Sequence, residues 1–229
     1  MGMPAHSEDA KQEGGYVNKD FHHAHHFKSN DHQFFTAKLG MWTFVLQEVL
    51  FFSPLFVSYL IFKSKYFASF HIAAHELDWK LGAVNTIILL VSSFTMARAV
   101  AAAQRGQREA LEENLIWTII CGFGFMIVKY LEYSHKFHDG TLPGSFFHNP
   151  ELLEKAPQAP LFFTIYFAMT GLHGLHVLIG IGVMIWLYVR ARKGHFGSNY
   201  FTPIEMTGIY WHLVDLVWIY LFPLLYLVS

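Results

Sequence analysis

Residues 161–189 read LFFTIYFAMTGLHGLHVLIGIGVMIWLYV, an apolar run without a single Lys, Arg, Asp or Glu. At 1.5 Å rise per residue, a helix of this length exceeds the ~30 Å hydrocarbon core of a bilayer. Its side chains are apolar all round instead of along one stripe. That suits a helix surrounded by lipid or by other apolar helices, with its backbone polar groups satisfied internally. The excess length calls for tilt or for an extension beyond the bilayer.

Working outward from this segment, four more stretches read the same way, at about 39–62, 81–103, 114–133 and 204–228. The weakest is 114–133, with Lys129 and Glu132 near one end; Lys129 is expected to snorkel towards the interface. Charged residues gather between the runs, around 63–80, 104–113, 132–139, 151–155 and 190–205, and in the N-terminal segment. Overall 53% of residues are hydrophobic and 14% charged, against roughly 25% charged in an ordinary soluble domain. The expected fold is all-α: one membrane bundle of five transmembrane helices, residues 38–229, preceded by a polar, His-rich tail, residues 1–37. A net charge of −1 gives no case for nucleic acid. The single cysteine, Cys121, excludes disulfides within the chain and Cys-rich metal sites. Residues 1–37 contain no apolar core of a signal peptide, so the first span is expected to act as the insertion signal.

Basic residues give an orientation. With the tail in the cytoplasm, all five arginines (Arg98, Arg105, Arg108, Arg190 and Arg192) fall on the cytoplasmic side and the C-terminus lies outside.

Ionisable groups near mid-membrane cost roughly 2.5–3.5 kcal/mol on insertion scales, so each is a functional candidate. Glu48 is central in the first span, His173 and His176 in the fourth, His212 and Asp215 in the last. Spacings of three residues put His173 with His176, and His212 with Asp215, on shared helix faces. These groups can be read as a metal, haem or proton-relay site. For the His and Asp set, interhelical hydrogen bonding is the expectation, because buried polar groups usually find partners. Glu48 has no cationic neighbour one turn away on its own helix, so its protonated form is the cheaper one. A lipid- or proton-linked role and plain packing both stay open for it. Gly171, Gly174, Gly180 and Gly182 read as helix-packing positions. The segment 21–27, FHHAHHF, offers imidazoles to a divalent metal; a solvated tail docking on a neighbour is the expectation there.

Five motifs in order resemble the haem-copper oxidase subunit III family from about residue 34 onwards. They are Glu48-Val49-Leu50-Phe51-Phe52; Asn85-Thr86 with Leu89-Leu90 and Ser92-Ser93; Glu132-Tyr133; Thr170 to Val177; and Tyr210 to Trp218. The resemblance is strongest to the five-span bacterial form of cytochrome c oxidase subunit III. It implies a chain without haem or copper of its own in a bacterial inner-membrane oxidase, a translocase of the aerobic respiratory chain. Such a chain packs beside subunit I, which with other partner subunits carries the haem and copper, and belongs to a complex that can join a respiratory supercomplex. It also implies bound phospholipid and support of proton uptake and of complex lifetime. In its terms Glu48 is the family's membrane-buried carboxylate. By the same resemblance Arg190, Lys193 and His195 occupy a stretch that contacts anionic head groups, while Glu132, His173, His176, His212 and Asp215 keep their reading as intramembrane polar packing residues. Larger relatives have two further N-terminal helices that wall a lipid cleft; here a polar segment stands in their place. A quinol oxidase subunit III is the alternative within the family. A small ion-coupled transporter using Glu48 and Asp215, or a di-iron membrane enzyme, are the alternatives outside it; the former predicts inverted repeats and broken helices, which the sequence lacks.

Overall fold

Ser29 starts the first helix: its Oγ accepts a hydrogen bond from His32 N at 3.1 Å, satisfying one of the free donors of the opening turn. In the computed structural model, which describes residues 16–18, 27 and 29–227, that helix, α1, runs Asn30–Lys65. Residues 30–37, assigned above to the tail, are therefore its first turns. At 1.5 Å per residue its 36 residues measure ~54 Å, so it projects well past an apolar core. The His-rich stretch 22–26 lies outside the described residues.

A short helix, α2 (Phe67–His75), fills part of what the sequence marks only as a charged connection. Phe70, Ala73 and Ala74 form its buried side, which packs on the fourth spanning helix. Helix α3 (Trp79–Gln104) is capped by Asp78, whose carboxylate accepts from Lys80 N at 2.9 Å. Helix α4 (Arg108–His138) extends beyond the expected 114–133 at both ends. After a 3₁₀ turn (Gly144–Phe146) and α5 (Pro150–Lys155) come α6 (Ala159–Arg192) and α7 (Thr202–Phe222). Pro160 and Pro203 sit in the first turns of these last two, where a missing N–H costs nothing. At Pro223 the regular ladder stops and a wider π turn carries the chain to Leu227. Five helices are long and apolar enough to cross a membrane, and no strand occurs among the described residues.

Helices α3, α4, α6 and α7 pack against one another as the core, and α1 lies outside them against α6 and α7. Burial ranks them accordingly: 44% of the apolar window of the last span is buried, against 17% for α1. One end of the bundle holds the start of α1, the α3–α4 turn and the α6–α7 loop, and the arginines lie towards it. Trp211 fills the centre, fully buried, and its Nε1 donates to Ser92 Oγ at 2.9 Å. It requires Gly180: a Cβ there would stand 2.7 Å from the indole ring. Of the four glycines read as packing positions, Gly180 alone meets a neighbour closely. Gly174 and Gly182 have nothing within 4 Å, and Gly171 has only the Tyr133 hydroxyl at 4.0 Å. At 100° per residue, Gly180 and Gly182 point to opposite flanks of α6, so they cannot serve one contact.

Candidate functional site

Glu48 lies at the middle of α1 on the side that meets the core, and His176 reaches it from α6. Glu48 Oε2 and His176 Nε2 are 3.0 Å apart, with side-chain exposures of 10% and 15%. His176 Nδ1 stands 2.8 Å from Leu172 O. A carbonyl oxygen only accepts, so Nδ1 carries a hydrogen and donates it. One proton then remains between Nε2 and the carboxyl. The pair is neutral overall whichever side holds that proton, which is why it is tolerated at this depth. Phe51 and Phe52 flank the imidazole, with ring centroids at 6.4 and 5.3 Å. Tyr210 OH donates to His176 O at 2.9 Å and ties the site to α7. The lack of a partner on α1 thus does not leave Glu48 alone, because its partner comes from another helix.

The other expected pairings divide. His173 and Asp215 point into the core, whereas His176 and His212 point away from it. His212 Nδ1 is 2.7 Å from Ser93 Oγ of α3. His173 is stacked on Trp218 and edge-on to Phe125, both at 5.4 Å, and neither ring nitrogen has a hydrogen-bond partner. Asp215 lies beside Ser93, but no hydrogen bond of good geometry reaches its carboxyl oxygens. Asn85 on α3 is buried and likewise unpaired. In the sequence Asn85 stands out only as part of a motif; an amide within an apolar run is the available signal.

Near the end opposite the arginines, Lys129 does not snorkel. It is buried, and its Nζ donates to Glu132 Oε2 at 2.8 Å and to Tyr226 OH at 2.9 Å. Glu132 Oε1 accepts from Tyr166 OH at 2.8 Å and from Tyr226 OH. The ammonium lies 4.6 Å from the Trp218 ring centroid and within 6.0 Å of three tyrosine rings. Ion pairing, phenol donors and cation–π contacts together hold the charge inside, so the short reach to the interface is not used. The π turn after Pro223 is what delivers Tyr226 to this network. A cavity of about 270 Å³ opens beside it, lined by Glu76, Asp78, Glu132, His135, Lys136 and Asp139 among others.

At the arginine end, Arg190 stacks on Trp186, with its guanidinium carbon 4.5 Å from the ring centroid. Lys193 and His195 are exposed beside it on the helix end and the following loop. Residues 16–18 form a strap over that loop. Tyr16 N donates to Gly106 O at 2.9 Å, Ser198 N donates to Tyr16 O at 2.9 Å, and Asn18 and Asn199 exchange hydrogen bonds at 2.9 and 2.8 Å. Gly197 permits the approach: a Cβ there would stand 2.6 Å from Tyr16 O. Among the described residues, no group of three or more His, Cys, Asp or Glu side chains is placed to hold a metal ion.

The family model for cytochrome c oxidase subunit III matches residues 16–150 and 158–229. The quinol oxidase subunit 3 of Bacillus subtilis is 31% identical over 217 residues, 90% of this chain and 97% of that one. The cytochrome c oxidase subunit 3 of Synechocystis is 32% identical over 206 residues, 90% of this chain and 79% of its own. A probable cytochrome c oxidase subunit 3 of Nocardia farcinica is 30% identical over 192 residues, 84% and 88% of the two chains.

Proposed function

The chain belongs to the cytochrome c oxidase subunit III family, and from that premise we propose that it is the accessory subunit of a proton-pumping terminal oxidase fed by cytochrome c. It is a membrane protein and part of a haem-copper oxidase complex. In the proposed arrangement it packs beside subunit I, which carries haem and copper together with other partner subunits, while this chain carries neither. The arginine end faces the cytoplasm of a bacterial inner membrane.

The observation that carries the reading is the Glu48–His176 pair. A carboxyl and an imidazole sharing one proton can pass it from one to the other at mid-membrane through small rearrangements while the pair stays neutral overall. The pair supports proton uptake by the complex; it does not move electrons. Arg190, Lys193 and His195 lie at the end of the helix that bears His176. There each basic side chain attracts an anionic head group by about 1 kcal/mol. The acyl chains then run along the α1–α6 flank past Glu48. Lipid and proton roles thereby meet on one side of the bundle.

The second reading, a quinol oxidase subunit III, is favoured by the Bacillus relative's name and by its coverage. Turnover of the purified complex decides between them: reduced cytochrome c is the expected substrate, and turnover with quinol alone would reverse the choice. For the lipid role, Arg190→Gln with Lys193→Gln should lower retained anionic phospholipid and shorten the active lifetime while sparing initial turnover. Wild-type lipid content and lifetime would leave these residues as topological charges only.

A further inference from the structure

Helix α6 ends in a cap that draws on two other parts of the chain. The last four carbonyls of a helix have no partner within it. Lys193 N and His195 N donate to Arg190 O and Gly194 N donates to Ala191 O, with Gly194 in the left-handed region at φ +72°. The oxygens that follow are met from outside the helix. Arg108 of α4 donates from its guanidinium to Arg192 O, Tyr16 OH donates to Gly194 O at 3.1 Å, and Asn18 Nδ2 donates to His195 O at 2.8 Å. A Cβ at Gly194 would lie 3.3 Å from the Tyr16 hydroxyl and 3.4 Å from Arg108 Nη1, so strap, guanidinium and loop are in direct contact. Arg190, Arg192, Lys193 and His195 stand exposed around this cap.

A helix C-terminus is the wrong end for an anion, because its carbonyls together carry about half a negative charge and repel one. The basic side chains gathered here work against the backbone beneath them unless those oxygens are covered. We propose that residues 16–18 are part of the head-group site, with Tyr16 and Asn18 as positioning residues that cover the carbonyls at the end of α6 and let Arg190, Lys193 and His195 hold a phosphate. The proposal rests on the head-group reading of those three residues. The ligand class is an anionic phospholipid and not free phosphate. Arg190 lies on Trp186, and Trp186 and Val189 are 47% and 46% exposed in the last turns of α6, an apolar surface for the adjoining acyl chain. Tyr16 and Asn18 lie 178 and 177 residues from the oxygens they cover, so the pattern on α6 alone does not reveal them.

The test uses the intact complex purified from native membranes, with extracted phospholipid counted per complex by mass spectrometry and sorted into anionic and zwitterionic classes. Tyr16→Phe removes one hydroxyl and Asn18→Ala one amide, and neither side chain is buried. The double variant should retain about threefold less anionic phospholipid, the loss expected for uncovering the negative end of one helix. Zwitterionic content and thermal unfolding should stay unchanged, and Asn18→Gln, which keeps a donor amide, should lose less than Asn18→Ala. Gly197→Val, whose side chain would collide with Tyr16 O, should displace the strap and give the same selective loss. Wild-type anionic lipid in the strap variants, alongside a loss in Arg190→Gln with Lys193→Gln, overturns the strap's role and keeps the head-group reading. Equal loss of both lipid classes with lower thermal stability makes the strap a structural brace only, which also overturns the proposal. Unchanged phospholipid in every variant, the result expected of a site for free phosphate, overturns the proposal and the head-group reading together.

Discussion

One proton between Glu48 and His176 accounts for a carboxylate at mid-membrane better than either residue does alone. Removing His176 leaves a lone carboxyl that keeps its proton, the form that hydrophobic carbodiimides attack. His176→Leu should therefore speed dicyclohexylcarbodiimide labelling of Glu48, read by mass spectrometry, while Glu48→Gln abolishes the label and leaves electron transfer intact. A His176→Leu variant labelled no faster than wild type would mean that the pair does not govern the carboxyl. Lys129 makes the opposite case, a charge held by many partners. Lys129→Met strips Glu132 of its counter-charge and should destabilise the solubilised subunit by ~3–5 kcal/mol. Adding Glu132→Gln should recover part of that loss, because no charge then remains unpaired. Fully additive losses in thermal unfolding would show that the two residues act independently. Neither arrangement was legible beforehand in full. The sequence marks Glu48 and Glu132 as unusual, but the partners come from elsewhere: His176 is 128 residues away from Glu48, and Tyr226 is 97 from Lys129. One turn along the same helix leads from Lys129 to Glu132 but reaches neither Tyr226 nor, from Glu48, His176.

The helices themselves were readable because length and apolarity are local properties. All five expected spans correspond to helices, with ends displaced outward where caps such as Ser29 and Asp78 set the start. Helix α2 escaped because its nine residues are too few to span and lie in a connection marked by charge. Packing partners were less legible, as the α6 glycines illustrate. Small residues announce close contact, but which of them makes it depends on what bulky side chain arrives. Trp211 arrives at Gly180 and nothing arrives at Gly182. Gly180→Val should cost ~1–3 kcal/mol through overpacking, and Gly182→Val should cost much less. Equal losses for the two, measured by thermal unfolding in one detergent, would contradict the placement of α6 against α7.

At the scale of the whole molecule, the bundle keeps the Lys129–Glu132 pair inside and the Glu48–His176 pair at a helix contact, and gathers its arginines towards one end. Positive charge selects the cytoplasmic side, so a reporter inserted at Gly106 should be cytoplasmic and one fused after Ser229 external. The reverse pattern would invert the bundle, and both on one side would reject the span count, since α4, α6 and α7 separate them. The bundle's buried polar groups mostly serve contacts between its own helices, as Glu48 with His176 and Trp211 with Ser92 illustrate. The most direct test is affinity purification of the tagged chain from native membranes, followed by subunit identification and haem and copper analysis before and after the complex is dissociated. The account predicts co-purification with a haem-copper catalytic subunit, with all haem and copper following that partner on dissociation. Recovery of the chain without any oxidase subunit, or with haem still bound after separation, would contradict it.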